Sequence, residues 1–513
     1  MEAPIRFVFE SSSVLSDIER DIAPRYALRE TRPEAARRQH TGAAAAERTD
    51  GTARTLTFRD TFDWRLFNAG YLLYEEGGEE GGVSHLLGPS GIDTAVDTTA
   101  AASASQPPPD SFASLLGIRA LVTVCTARVS ERRFRVEDDI GKTIARLVMW
   151  TPGYGDAPRF PATAVLTPLK GYAAEARTVA RALAGQAREV SFTEYAGSLL
   201  AAGGREPGAY SSKVTLALEP DMPAQAAGRA VLGYFLEVMR ENETGIAERV
   251  DTEHLHDYRV ALRRLRSFIA ETKGAFASER TQAIKDDLKS IQDRTGEARD
   301  LDVLLLHRDD YRALLPDKLA SGLEAYFGRI RERREAAYDA LIEYLRGPAY
   351  EQTMQGLRTY AAHEELEPAE RAEEPIGELA GRRMQKRMKR VASGIDAAMA
   401  DPQDELLHRL RIDGKKLRYL LEITASLYPA KKSNRLIKQL KKFQDSLGRL
   451  HDVAVQEQTL GRDLETIRSE DSANVDTAAA IGGLLTRIRG RRPEIFEAFI
   501  NAAETYRSQI GRR

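Results

Sequence analysis

One pattern of basic residues occurs twice in this sequence. The first copy reads His256-Asp-Tyr-Arg259-Val-Ala-Leu-Arg263-Arg264-Leu265-Arg266. The second, His408-Arg-Leu-Arg411-Ile-Asp-Gly-Lys415-Lys416-Leu417-Arg418, begins 152 residues later. Arginine binds phosphate oxygens through two parallel hydrogen bonds, and lysine adds a mobile point charge. The pattern therefore predicts a duplicated anion-binding element.

Helical periodicity gathers these cations on one face. At about 100° per residue, the histidine and arginines of the first copy fall within a sector of about 80°. Leu262 and Leu265 lie on the neighbouring face, and Leu410 and Leu417 do so in the second copy. Each copy is thus predicted to be a helix with one basic stripe, about three turns long, beside a core-facing side.

A second motif repeats with the same offset. Residues 288–300 return as residues 440–452, each segment with Leu-Lys at its start, Gln-Asp and Gly within it and Asp at its end. Gly296 and Gly448 are placed where a helix could end in a left-handed residue, and the final aspartates where the next helix could be N-capped. This predicts a helix–turn–helix corner built by these residues. Two motifs at one offset indicate two copies of a helical unit, about 223–365 and 373–513.

Positive charge is concentrated around these motifs. Residues 405–445 contain 11 Lys or Arg against 4 Asp or Glu, and residues 381–390 contain six and no acid, whereas the whole chain has a net charge of −2. An isolated basic stripe is more often a solvated helix face whose charges pair at i±4. Duplication, the repeated histidine and the scarcity of acids at pairing distance favour a polyanion ligand instead.

Composition bounds the class of protein. A length of 513 residues suggests about three structural units at roughly 150 residues each. The sequence has no apolar run of about 18 residues and no signal-like layout at its start. The lone Cys125 excludes an internal disulfide or a zinc–cysteine cluster and is predicted to pack in a core. These features predict a cytoplasmic protein without a membrane segment.

The chain changes character near residue 205. Of its 21 prolines, 14 lie in residues 1–224. We predict an α+β domain at 1–205 with strands at Ile5–Phe9, Leu121–Cys125 and Thr163–Lys170, a linker at 206–221 and an all-α domain at 222–513. Two stretches of the first domain are predicted to be loops, Arg32–Arg54 and Gly91–Asp110. The predicted helices lie near 223–242, 252–273, 279–295, 300–313, 318–346, 373–399, 403–427, 432–447, 452–468 and 494–509.

The cationic faces lack the side chains that read nucleic acid. Tyr258, Phe268, Tyr419 and Phe443 fall within or beside the apolar sectors, so they are not predicted to stack bases. A linear phosphate chain would satisfy these faces, with strong salt dependence. The histidines could add pH dependence, because an imidazolium donates to phosphate from both nitrogens. Nucleic acid is expected only as a nonspecific competitor, although a nonspecific nucleic-acid-binding or scaffold protein remains an alternative.

The paired motifs resemble the CHAD domain, the conserved-histidine α-helical domain, over about 222–513. The resemblance implies two four-helix bundles related by pseudo-twofold symmetry, inorganic polyphosphate as the ligand of a basic central surface, and association with polyphosphate granules. The binding residues that it implies are His256, Arg259, Arg263, Arg266, Lys289, His408, Arg411, Lys415, Arg418 and Lys441. A secondary set comprises Arg264, Lys285, Arg383, Lys386, Arg390, Lys416 and Lys438. Lys415 and Lys416 replace an arginine pair, and His451 stands opposite Arg299, which puts bidentate geometry in doubt.

Residues 1–205 resemble a divergent CYTH domain, a triphosphate-tunnel antiparallel barrel. The similar stretches are Arg59–Gly70 and Thr163–Ala174. That family carries an E-x-E-x-K on its first strand, whereas Ile5–Glu10 has one acid, and Ile18–Arg20 is set in a helical turn. Tunnel chemistry needs inward carboxylates to hold Mg²⁺ or Mn²⁺.

We therefore predict a barrel without catalysis, no cofactor and no bound metal. His254 and His256 are not predicted to share a zinc ion, because two residues diverge by about 200° on a helix. The alternative is a metal-dependent tripolyphosphate hydrolase that uses Glu10, Asp60 and Glu75. The sequence leaves the oligomeric state open.

Overall fold

The chain divides into two compact units, Met1–Ser212 and Lys213–Arg513, and the division lies within the predicted linker. The computed structural model describes residues 3–9, 22, 25–31, 53–77, 83–91, 93–96, 98, 111–153, 160–363, 367–469 and 475–511. Most of the two predicted loops lies outside these ranges. Where the second of them is described, it contains a strand, Asp93–Val96.

The first unit is built on one antiparallel sheet. Its described strands are β1 (Ile5–Phe9), β2 (Ala27–Glu30), β3 (Ala53–Thr61), β4 (Leu72–Glu76), β5 (Val83–Leu87), β6 (Asp93–Val96), β7 (Leu121–Glu137), β8 (Thr143–Pro152), β9 (Ala162–Pro168) and β10 (Arg188–Val190). The helices are α1 (Arg65–Asn68), α2 (Phe112–Leu116), α3 (Ala173–Leu183) and α4 (Phe192–Leu200), followed by a 3₁₀ turn at Ala201–Gly203. The strand order is β10-β1-β9-β8-β7-β3-β4-β5-β6, with β2 added to β7.

This sheet is open in the described part of the chain. Its edge strands, β6 and β10, have four and three residues and do not pair with each other. Closure requires the two edges to exchange backbone hydrogen bonds, so the predicted CYTH-like barrel is not confirmed. One face is covered by α3, whose Ala176 and Val179 pack with Phe7 and Leu147 in a single apolar cluster. Cys125 is buried on β7 and forms no disulfide within the described residues, in agreement with its predicted place in a core.

The second unit is helical. Its helices are α5 (Ala224–Ala247), α6 (Thr252–Glu271), α7 (Ser278–Arg294), α8 (Gly296–Leu306), α9 (Arg308–Ala313), α10 (Asp317–Ala320), α11 (Gly322–Arg346), α12 (Pro348–Ala362), α13 (Ile376–Ala400), α14 (Asp404–Ile423), α15 (Ala430–Ser469), α16 (Val475–Gly490) and α17 (Arg492–Gly511). A 3₁₀ turn at Ala425–Leu427 lies between α14 and α15.

The sequence repeat is also a structural repeat. Both ends of α6 shift by 152 positions onto the ends of α14, and the starts of α5 and α7 shift by the same number onto those of α13 and α15. Asp251 N-caps α6 by accepting from the backbone of Glu253 and His254. The two copies therefore share these helix boundaries, in agreement with the apolar spacing that they share.

The two copies meet in a symmetric backbone junction. Pro223 and Pro375 are equivalent positions in the two copies, and they form a β-bridge with each other. Four hydrogen bonds flank this bridge, and the 152-residue shift exchanges them in pairs. They are Ala224 N–H to Glu374 O (2.8 Å), Ile376 N–H to Met222 O (2.9 Å), Gln225 N–H to Ala372 O (3.0 Å) and Gly377 N–H to Pro220 O (3.0 Å). The starts of the copies are therefore related by a local twofold axis.

The two copies also share their interior. Leu262 and Leu265 of α6 belong to the same apolar cluster as Leu417 of α14. Arg387 of α13 is buried and donates to Glu271 (2.9 Å from Nε) and to Asp413, so one side chain joins α6 and α14. The predicted arrangement as two four-helix bundles is not confirmed, because this core is continuous across both copies.

The predicted corner is wrong. In the second copy α15 runs without interruption through Gly448. In the first, a single residue with right-handed helical angles, Thr295, separates α7 from α8. Neither Gly296 nor Gly448 has a positive φ. A glycine inside a helix costs only about 1 kcal/mol, and the apolar contacts of the flanking turns outweigh it.

Candidate anion-binding site

The basic stripes of the two copies face each other. Helices α6 and α14 pack together. Burial lowers the pKa values of both Arg411 and Lys415 on α14, and the charge of Arg263 on α6 adds to both effects. Two more arginines belong to the same group. Arg418 adds to the lowering of the Lys415 pKa, and Arg263 adds to the effect of burial in lowering the Arg259 pKa. We call these five residues, Arg259, Arg263, Arg411, Lys415 and Arg418, the central cluster.

Positive charge in the central cluster is only partly compensated, by Asp300, Asp452 and Glu422. Burial, reinforced by Arg411, Arg263 and Arg418, lowers the pKa of Lys415 to about 7. Burial and then Arg263 lower the pKa of Arg259 to about 10. Removal from water disfavours the charged form, and neighbouring like charges add to that effect. The protein thus holds cations together against their mutual repulsion.

Several guanidinium donors of the cluster are left without acceptors. Within the described ranges, the buried Nε atoms of Arg259, Arg263, Arg411 and Arg418 have no hydrogen-bond partner. The carboxylate nearest to Arg411 is Asp452, at 3.9 Å from Nη2 to Oδ1. Buried donors are normally satisfied by protein or by a bound group, so this arrangement is suited to an anion with many oxygens.

The two copies hold their arginines differently. In the first copy, Arg259 donates from Nη1 to Gln292 O (3.1 Å) and to Thr295 Oγ1 (2.6 Å), and Arg266 donates to Gln292 Oε1. Leu447 replaces Thr295 in the second copy, so Arg411 has no equivalent hydroxyl acceptor. The amide of Gln444, the counterpart of Gln292, is buried and has no partner among the described residues. The second copy therefore offers the less restrained cations.

The repeated histidines are also held differently. His256 Nδ1 lies 2.9 Å from Arg299 Nη2. Because a guanidinium only donates, this nitrogen must carry the lone pair, which leaves Nε2 to carry the proton. In the second copy His451 replaces Arg299, and its ring lies 5.2 Å from that of His408. Burial, followed by Arg411, His408 and Lys415, lowers the pKa of His451 to about 4, so His451 is neutral at pH 7.

Other predicted residues lie around the cluster, and some are bound to acids. Arg264 donates from Nε and Nη2 to Glu422 Oε2, at 3.0 and 2.8 Å, and Arg418 Nε lies 3.5 Å from the other oxygen of Glu422. Lys289 pairs with Asp293 at 2.9 Å. Arg383 donates weakly to Lys273 O at 3.5 Å.

The remaining predicted lysines and arginine are open to a ligand. Lys386, Arg390, Lys438 and Lys441 are exposed, and Lys285 and Lys416 are half-buried. Lys438 faces a separate groove between α15 and α17 instead of the central cluster.

Three residues that shape the site escaped sequence reasoning. Glu422 occupies Arg264 and Arg418, Thr295 orients Arg259, and Arg387 is removed from the available cations by its two acids. The spacing of Glu422, four residues after Arg418, was a readable signal for an i,i+4 pair. The contacts of Thr295 and Arg387 depend on packing between distant segments and had no local signal.

The acids that could serve metal chemistry in the first unit are engaged elsewhere. Asp60 is buried and accepts backbone N–H bonds from Thr61 (2.6 Å), Leu66 (3.0 Å) and Phe67 (2.9 Å). Burial nevertheless raises its pKa to about 6. Glu75 pairs with Arg59 at 3.0 Å. Glu10 and Ile18–Arg20 lie outside the described residues.

Metal-ligating groups do not converge in the described part of the chain. It contains no cluster of three or more His, Cys, Asp or Glu side chains placed to hold a metal ion. His254 Nδ1 lies 3.2 Å from Asn242 Oδ1, whereas His256 contacts Arg299. The two histidines of the H-x-H pair thus have separate partners.

Part of the helical unit matches a known family. Residues 230–461 match the family model of the CHAD domain. The predicted CHAD domain is confirmed for these residues, which include α6, α14 and the whole central cluster. The predicted CYTH-like domain is not confirmed.

Related proteins and solved structures match about half of the chain. Two uncharacterized proteins from different strains of Mycobacterium tuberculosis are 27% and 26% identical over 259 residues, which is 48% of this chain and 49% of theirs. The chain thus spans about half the length of the curated relatives it matches. The crystal structure of the CHAD domain from the plant Ricinus communis has a TM-score of 0.47 and 28% identity, covering 57% of this chain and 95% of that one. PptA from Streptomyces chartreusis has a TM-score of 0.43 and 16% identity, covering 55% and 99%.

The described helices include no candidate for a membrane span. None of them combines sufficient length with sufficient apolar character.

Replacing Lys415 by Met should stabilise the protein at pH 7, by about 1 kcal/mol, because it removes a half-buried charge that the neighbouring cations oppose. The folded pKa of Lys415, about 7, lies below the ordinary value of 10.5. Unfolded chains therefore bind more protons between these pH values, so the parent gains stability as pH rises and the advantage of the variant shrinks. Urea unfolding followed by helical circular dichroism at pH 6.5, 8.0 and 9.5 measures this.

The matched control is Lys441→Met, because Lys441 is exposed. It should change the free energy of unfolding by less than about 0.5 kcal/mol at every pH. Destabilisation by Lys415→Met throughout the pH range would contradict the claim that the charge of Lys415 is unfavourable in the folded protein.

Proposed function

We propose that the CHAD domain of this protein binds inorganic polyphosphate at the central cluster and does not turn it over. The observation that carries the proposal is the meeting of five cations from two helices, with buried guanidinium donors that lack acceptors in the described part of the chain. Phosphate oxygens accept several hydrogen bonds at once and neutralise the cations that burial disfavours. The match to the CHAD family is consistent with this role.

A phosphate chain fits the cluster better than a nucleic acid does. Tyr258, Phe268, Tyr419 and Phe443 are all buried, so these aromatic side chains form no stacking platform. Arg418 lies over the ring of Tyr419, with 5.4 Å from Cζ to the centroid, which uses that aromatic face internally. Nonspecific nucleic acid therefore enters as a weaker competitor for the same charges.

The more detailed features that the CHAD resemblance implies also belong to this proposal. They are a pair of four-helix bundles lining one surface, a cytoplasmic location and association with polyphosphate granules. The symmetric junction at Pro223 and Pro375 supports the pseudo-twofold relation between the copies. A linear polymer of identical phosphate groups is suited to a surface whose basic helices are also repeated.

Replacing Arg259, Arg263, Arg411 and Lys415 together by Ala should weaken binding of long-chain polyphosphate at least 100-fold, because each hydrogen bond to a charged group is worth about 1.5–3 kcal/mol. The slope of log affinity against log salt should also become shallower by about 3, because each phosphate that is no longer neutralised reduces that slope by about 0.7. Isothermal titration of the full chain at 50, 100 and 200 mM salt measures both quantities.

A second quadruple variant controls for net charge. Lys318, Arg331, Arg346 and Arg468 are exposed and are remote in sequence from the basic motifs, so their replacement by Ala should change the affinity less than threefold. Equal losses of affinity in both variants would show that polyphosphate is attracted by the net charge of the protein and not bound at a specific site. Unchanged affinity in the first variant would refute the central cluster as the binding site, and DNA that displaces polyphosphate more readily than the reverse would refute the choice of ligand.

Polyphosphate affinity should fall as pH rises from 7 to 9. Lys415 has a pKa of about 7 in the protein, whereas a bound anion favours its charged form, so binding above pH 7 requires proton uptake. Lys415→Arg keeps the charge at all these pH values. The variant should bind polyphosphate as tightly as the parent at pH 6.5. Its affinity should fall less than that of the parent between pH 7 and 9, because the arginine stays charged. An identical pH profile in parent and variant would exclude Lys415 as its source.

We also propose that residues 1–205 lack phosphohydrolase activity. The engagement of Asp60 by three backbone donors and of Glu75 by Arg59 supports this, since both carboxylates are used within the fold. Phosphate release from tripolyphosphate should stay at the background rate with Mg²⁺ or Mn²⁺. Metal-dependent release that Asp60→Asn or Glu75→Gln abolishes in folded protein would establish the hydrolase alternative instead.

A further inference from the structure

A second basic site lies in the groove between α15 and α17. The groove has a volume of about 700 Å³, within the range of small-molecule sites. Three cations of α15 line it, Arg435, Lys438 and Lys442. All three side chains are exposed. The groove therefore presents three available positive charges.

The opposite copy shows that these charges are not needed for folding. The positions equivalent to Arg435, Lys438 and Lys442 are Ala283, Asp286 and Ser290 on α7. By contrast, the buried positions of the two helices stay apolar, for example Leu288 and Leu440. The fold tolerates a neutral or acidic face here, so the basic face of the second copy indicates a ligand that only this copy binds.

This groove is distinct from the central cluster. Along α15, at about 100° per residue, its cations are centred roughly 135° away from Gln444, His451 and Asp452, which adjoin the cluster. A ligand bound at the central cluster would therefore contact a different side of α15 from a ligand bound in this groove.

The uncharged lining distinguishes this groove from a simple phosphate site. Phe443 and Tyr506 lie beneath it as a largely buried apolar floor, with their rings stacked on each other at 5.1 Å and 9°. Three amides, Asn434, Gln439 and Asn501, lie around that floor. A bare phosphate chain gains little from apolar contacts or from amides that both donate and accept. A purine presents a flat apolar body with paired donors and acceptors on its edge, which Asn and Gln side chains match.

We propose that the groove between α15 and α17 binds a purine nucleoside triphosphate, with the base over the apolar floor among the amides and the phosphates on Arg435, Lys438 and Lys442. Arginine and lysine together suit a short phosphate chain. The proposal does not depend on polyphosphate binding at the central cluster.

Isothermal titration of the full chain carrying Arg263→Gln and Lys415→Gln, which weaken the central cluster, tests the site with ATP and with inorganic tripolyphosphate, which has a similar charge. ATP should bind at least tenfold more tightly than tripolyphosphate. Lys438→Glu should weaken ATP binding at least tenfold, whereas Lys318→Glu, the same charge change at an exposed site on α10, should change it less than twofold. Asn501→Ala should weaken ATP binding about fivefold and leave that of tripolyphosphate within twofold.

A double variant separates this site from the central cluster. Arg263→Gln with Lys415→Gln should leave ATP affinity within twofold, whatever it does to polyphosphate. Loss of ATP binding in this double variant would place the nucleotide at the cluster and overturn the proposal. Equal binding of ATP and tripolyphosphate, with equal weakening by Lys438→Glu, would show a phosphate-only groove and overturn it as well.

Discussion

Repulsion between like charges at the contact of α6 and α14 is the constraint around which the helical unit is organised. Five basic side chains are partly removed from water there, and the depressed pKa of Lys415 measures how unfavourable that is. Such a group persists only if surrounding contacts overdetermine the positions of both helices. Leu262, Leu265 and Leu417 on the adjoining faces supply the apolar burial, and the bridge between Pro223 and Pro375 ties the preceding segments together.

Acids in this region are placed so that they define the limits of the site. Glu271 and Asp413 neutralise Arg387 in the interior, and Glu422 neutralises Arg264 at one margin. Both arrangements remove a cation from the pool that a ligand could reach. Asp452 at 3.9 Å from Arg411 is the weaker neutralisation, and burial raises the pKa of this carboxyl group. Within the central cluster Arg418 also pairs with Glu422 and Arg411 with Asp452, so acids compensate its positive charge only in part.

Local periodicity predicted the helices that carry the site better than it predicted their environment. The expected helix at 252–273 is Thr252–Glu271 in the structure, because its leucines recur at helical spacing. The same reasoning missed α12 and α16, although their buried residues recur at helical spacing. Pro348 at the start of α12 and the Gly482-Gly483 pair within α16 are signals typical of turns, and they obscured that spacing. The pairing of Arg264 with Glu422 spans 158 positions, and no local pattern reports such a contact.

Duplication explains how a dense cationic site can arise without an acid-rich counterpart. Arg263 and Lys415 are equivalent positions, and the charge of one acts on the other. A basic residue that lies close to a twofold axis approaches its own counterpart, as Arg263 and Lys415 do, so the axis concentrates charge that a single helix would spread over its face. The axis does not require the two halves to remain identical. Thr295 restrains Arg259 in one copy, whereas Leu447 releases Arg411 in the other, so the second half is free to adapt its cations to a ligand while the first half holds the geometry.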